Sequence, residues 1–81
     1  MTSIIYRGHF LLRADVKVYI TIHHEPQSGG ENLYFASGWI RGIPMSAGAR
    51  AKVSTPRNYA TITETILSFF TEVTRIYELN F

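Results

Sequence analysis

The densest group of side chains able to ligate a metal or move a proton is His23-His24-Glu25, with His9 upstream. A zinc-type site needs three or four such groups converging from one side. Neighbouring residues of a strand point to opposite faces, so His23 and His24 do not readily share an ion. A site would require His9 and His23 together across a hairpin, plus a further ligand. The simpler reading is a polar strand end running into a loop, and no metal is expected. Nucleophilic chemistry has less support. The chain has no Cys, no Ser lies in a nucleophile-elbow pattern, and the six Asp and Glu are mostly isolated. Gly29-Gly30, Gly42 and Gly48 form neither a phosphate loop nor a dinucleotide fingerprint. The expectation is a protein that is not an enzyme and needs no cofactor.

Recognition is better represented. Arg7, Arg13, Lys17, Tyr19, Phe35, Trp39, Arg41, Arg50, Lys52 and Arg57 are the candidate binding residues. Aromatic rings stack on unpaired bases or anchor protein interfaces, and Arg and Lys meet phosphates or carboxylates. No acidic residue occurs from Asn32 through Thr63. That stretch leads into a predicted helix N-terminus, where free backbone N–H groups favour anions.

The elements that must position these residues follow from periodicity. Residues 3–13 alternate, with Ile4, Tyr6, Gly8, Phe10 and Leu12 on one side and Ile5, Arg7, His9, Leu11 and Arg13 on the other. After a turn at Arg13-Ala14-Asp15, Val16, Val18, Ile20 and Ile22 alternate with Lys17, Tyr19, Thr21 and His23, completing a hairpin. Glu25 to Gly30 is loop by composition. Leu33 to Ile43 is a third strand with two open facings: either Tyr34, Ala36, Gly38 and Ile40 or Leu33, Phe35, Ser37 and Trp39 turn inward, the first being preferred because small residues let a helix lie close. That register leaves Phe35 and Trp39 on the open face. Pro44 ends pairing, Met45 to Gly48 is loop-like, and Ala49 to Val53 is a short edge strand.

From Tyr59 to Leu79 the apolar residues Tyr59, Ile62, Ile66, Phe69, Phe70, Val73, Ile76 and Tyr77 recur at three- and four-residue steps, the mark of an amphipathic helix. Its start is expected either at Ser54-Thr55-Pro56 or at the capping-box spacing of Thr61 and Glu64. The fold class is therefore α+β. An antiparallel sheet of three to four strands is followed by one long C-terminal amphipathic helix packed on one face. Strands followed by a helix are similar, in topology alone, to small single-stranded-DNA-binding cofactor domains; no motif carries that likeness further.

Residues 31–37, E-N-L-Y-F-A-S, closely resemble the sequence cut by tobacco etch virus protease, with Ala36 where that enzyme requires Gln. Cleavage is not expected. The neighbouring Ser28-Gly29-Gly30 and Gly38 read as linker chemistry, so an engineered insertion over 28–37 stands open beside a native third strand.

Eighty-one residues make one small domain, 1–81, with no disulfide to reinforce it. A domain this size buries only about 60% of its unfolded-chain surface. Yet 46% of its residues are hydrophobic and 14% aromatic, more than a thin core absorbs. No signal peptide or membrane span is recognisable, so a cytoplasmic location is expected. The net charge of +2 is too small to imply a polyanion partner by itself. The leading expectation is a non-enzymatic interaction module, adaptor or inhibitor in type. It would bind another protein, or itself as a homodimer, through the open sheet face. The alternative is a single-stranded nucleic-acid-binding protein using the same basic and aromatic face.

Overall fold

The computed structural model describes residues 1–42 and 50–80. Four strands, β1 (Ser3–Arg13), β2 (Val16–Pro26), β3 (Asn32–Gly42) and β4 (Ala51–Ser54), form one antiparallel sheet in the order β1-β2-β3-β4. One helix, α1 (Ile62–Asn80), closes one face and packs against β3 and β4. This is the α+β fold that the sequence predicts. The expectations for Ile43, Pro44, the loop at 45–48 and Ala49 lie outside the described residues.

The core lies where the two periodicities meet. Val16, Val18, Ile20 and Ile22 of β2, Ala36 and Ile40 of β3, and Val53 of β4 are buried against Phe69 and Val73 of the helix. Ile66, Ile76 and Tyr77 pack at its edge. The inward face of β3 is the expected one, but the role of its glycine differs. A Cβ at Gly38 would collide with the Tyr19 carbonyl of β2, so Gly38 serves strand–strand approach rather than helix approach. Between β2 and β3 the chain turns at Gln27–Glu31, with Gly30 at a left-handed φ of 87°.

Two departures have clear physical causes. The helix starts at Ile62, at the expected capping box of Thr61 and Glu64, rather than at Tyr59 or at the alternative Ser54-Thr55-Pro56 signal. Thr55 N donates to the Ala36 carbonyl at 2.9 Å, and Ala36 N donates to Thr55 Oγ1 at 3.2 Å. Tyr59 and Tyr34 exchange backbone hydrogen bonds of 2.8 Å each. Residues 55–59 are thus tied to β3, and the first free N-cap is Thr61. Its Oγ1 accepts from Glu64 N at 3.1 Å and donates to Glu64 Oε1 at 2.9 Å.

The second departure is in β1, where register shifts leave Ile5 and Leu12 as extra residues opposite β2. Each bulge reverses the facing of what lies beyond it. Arg13, expected on the open face, pairs with Val16 and reaches the helix side, where Nη1 donates to the Tyr77 hydroxyl at 2.8 Å.

Candidate functional site

The helix covers one face of the sheet and leaves the other bare, and register fixes what that bare face carries. Tyr19 is flanked directly by His9 of β1 and Trp39 of β3, and Trp39 in turn by Lys52 of β4. One row of the sheet therefore reads His9, Tyr19, Trp39, Lys52. Arg7 and Thr21 share the row on one side of it. Lys17 and Arg41 face each other in the row on the other side. A shallow groove of about 500 Å³ runs between these rows, lined by Arg7, Tyr19, Trp39, Arg41 and Arg50 together with backbone of β2 and β3.

Arg50 lies over the Trp39 ring, its guanidinium carbon 4.2 Å from the centroid, a cation–π contact. Lys17 Nζ sits 5.8 Å from the Tyr19 centroid. The groove contains three guanidinium groups and no carboxylate among its described lining residues. Acidic residues lie elsewhere: Glu64, Glu72 and Glu78 are on the helix, which carries the single cation Arg75. The groove is thus locally basic, a feature the modest net charge of +2 conceals.

Of the residues proposed from sequence, the fold brings Arg7, Lys17, Tyr19, Trp39, Arg41, Arg50 and Lys52 onto this face around one centre. Phe35 shares the face but forms a second aromatic station, stacked on His23 with centroids 4.4 Å apart and rings 6° from parallel. The strand rise puts it about 13 Å from the Trp39 row. Arg13 and Arg57 lie on the other side. Arg13 is held by Tyr77, and that hydrogen bond, aided by Asp15, keeps its guanidinium above its ordinary pKa. Arg57 stacks on the Tyr59 ring at 5.0 Å. The Tyr59 hydroxyl pairs with Ser68 Oγ at 2.8 Å, and this bond, followed by the Arg57 guanidinium, holds the phenol below its usual pKa.

The histidines do not converge. His9 sits beside Tyr19, whereas His23 lies opposite Ile4, about 13 Å further along the strands. His23 Nε2 meets Ser37 Oγ at 3.1 Å, and His24, on the helix side, stacks on Tyr34 and meets Asn32 Oδ1 at 2.7 Å. Among the described residues no three His, Asp or Glu side chains gather. No described helix is long and apolar enough to cross a membrane. Residues 32–37, in the protease-site resemblance, are the first half of β3 and pair with β2 without a register break. No protein-family model, curated protein or solved structure matches the chain.

Proposed function

We propose that this protein is a non-enzymatic binding module that takes single-stranded nucleic acid on the open face of its sheet. The observation that carries this reading is the groove itself. Arg7, Arg41 and Arg50 surround Tyr19 and Trp39, with Lys17 and Lys52 in the adjoining positions. Cations that track a phosphate backbone, interleaved with rings on which bases stack, make a sequence-tolerant single-strand site. A second aromatic pair, His23 stacked on Phe35, lies on the same face about 13 Å along the strands. A flat, half-buried face of this kind suits unstacked bases better than a duplex, whose base edges lie inside a groove.

A second reading keeps the face but changes the partner to an acidic protein, which the module would block or recruit. The Arg50–Trp39 stack favours it, since a ring already covered by a guanidinium has one face less for a base. Tyr, Trp and Arg are also the residue types that dominate protein hot spots. Two copies meeting through this face would bring cations against cations, so the charge pattern supports an anionic partner there rather than self-association. Titrating a labelled single-stranded oligonucleotide, with an acidic polypeptide as competitor, tests the choice. Binding that the polypeptide displaces only at large excess supports nucleic acid.

A further inference from the structure

β1 is eleven residues long and pairs on one side only, with β2. Among the described residues its outer row of backbone N–H and C=O groups meets no other strand. An open edge of this length is a template for a further strand unless charge, proline or irregularity blunts it. The two bulges lie at its ends, at Ile5 and Leu12, and the stretch between them is regular. That stretch, Tyr6 to Leu11, contains no Pro and only one full charge, Arg7. Its helix side is also incompletely covered, because α1 lies over β3 and β4. An apolar groove of about 370 Å³ remains between β1 and the helix, bordered by Ile5, Tyr6, Phe10, Ile62 and Phe70.

We infer that a second copy of this chain occupies the edge, with β1 pairing antiparallel to the partner's β1 about a two-fold axis at Gly8. An axis normal to the sheet is isologous and keeps both helices on one side. It opposes each residue to one of the same face. Centred on Gly8, it sets Tyr6 against the partner's Phe10 twice on the helix side, and Arg7 against the partner's His9 on the open side. Aromatic cross-strand pairs are among the more favourable contacts in a sheet. Centring on Arg7 would oppose two guanidiniums, and centring on His9 would set Gly8 against Phe10 and lose both aromatic pairs. Of these three registers, only the one centred on Gly8 keeps both aromatic pairs.

Apolar surface is available along this edge. Ile5, Tyr6, Leu11, Leu12, Ile62 and Phe70 are between 37 and 61% exposed. At about 200 Å² for a fully exposed large side chain, they offer roughly 550 Å² of apolar surface per copy. Paired backbone and flanking polar atoms bring this near the ~800 Å² per partner of a standard interface. The inference does not depend on what the basic face binds, although the dimer would join two such faces into one surface.

The chain has no Cys, so one introduced thiol reports alone. A Cβ at Gly8 meets the outer end of the chain's own Tyr6 ring, which is 54% exposed and must turn aside slightly to admit it. Sedimentation of the full chain should give the dimer mass, and Gly8→Cys should oxidise to a disulfide-linked dimer. Leu11→Cys should not, because its two copies lie about 20 Å apart along the strands. Gly8→Glu, which sets like charges face to face at the axis, should sediment as a monomer with an unchanged circular dichroism spectrum. A wild-type chain that stays monomeric at its highest soluble concentration would overturn the inference and leave the edge to another protein's strand. So would cross-linking of Leu11→Cys as fast as that of Gly8→Cys, which would move the seam elsewhere.

Discussion

Lys17 and Arg41 stand directly opposite one another across β2 and β3, two like charges on neighbouring strands. Among the described residues neither forms an ion pair with a carboxylate. Directly opposed like charges destabilise a sheet, typically by several tenths of a kcal/mol. A protein that keeps such a pair gives up stability at a place where an anion could recover it.

Replacing Arg41 by Glu should therefore change stability and binding in opposite directions. Thermal denaturation should show a gain of up to about 1 kcal/mol, because the Lys17 partner becomes a carboxylate. Anisotropy of a labelled single strand should show affinity falling by about tenfold or more at low salt. A variant both less stable and equally avid would contradict the reading of this pair.

Trp39 is the single tryptophan, so it reports its own surroundings. Its fluorescence should change on addition of a single-stranded oligonucleotide and saturate with the same midpoint as anisotropy. Trp39→Ala should cost about 1–3 kcal/mol of binding through lost stacking. Folding should lose less, since the ring lies outside the core and gives up mainly the Arg50 contact, worth about 0.5–1 kcal/mol.

The helix start offers a control that touches no part of the basic face. Thr61→Ala removes the N-cap acceptor of Glu64 N and should cost about 1 kcal/mol in urea denaturation. Oligonucleotide affinity under native conditions should be unchanged. Thr55→Ala should also destabilise, but by loosening residues 55–59 from β3 rather than by uncapping a helix.

Gly38→Ala should be the most damaging conservative change in the sheet. The added methyl collides with the Tyr19 carbonyl, which belongs to a strand paired on both sides. Overpacking of this kind costs about 1–3 kcal/mol. Because Tyr19 and Trp39 flank the contact, the variant should also lower oligonucleotide affinity. Denaturant midpoint and anisotropy measure the two losses separately.

How far the sequence reaches depends on whether a feature is local. Strict alternation in Val16–His23 sets both faces of β2, and the preference for small residues beneath a helix picks the right inward face of β3, although Gly38 is small for another reason, the close Tyr19 carbonyl. Those choices alone put Tyr19, Trp39, Lys17 and Arg41 on one surface. The bulges at Ile5 and Leu12 are invisible in the same way of reading, because a bulge exists only relative to a partner strand. That is why Arg13 ends on the helix side with Tyr77. The Thr55-Pro56 signal is a sound local helix start that loses to hydrogen bonds with Ala36, far away in sequence. Thr65, polar and fully buried, is absent from the apolar stripe of the helix. Its hydroxyl is satisfied by the Thr61 carbonyl at 2.9 Å, the condition that makes its burial tolerable. The separation of His9 from His23 likewise depends on hairpin register, which alternation alone leaves free.

The most direct test of the basic face is the salt dependence of single-strand binding. A labelled oligonucleotide would be titrated with wild-type protein, and with an Arg41→Glu/Arg50→Glu double variant, between about 50 and 200 mM salt. Five cations on one face predict a log–log slope of about −3.5 for wild type, at roughly 0.7 counterions released per phosphate contact. The double variant should bind more weakly with a visibly shallower slope. Binding absent at low salt, or equally strong and equally salt-dependent in the double variant, would contradict a nucleic-acid site on the open face of this sheet.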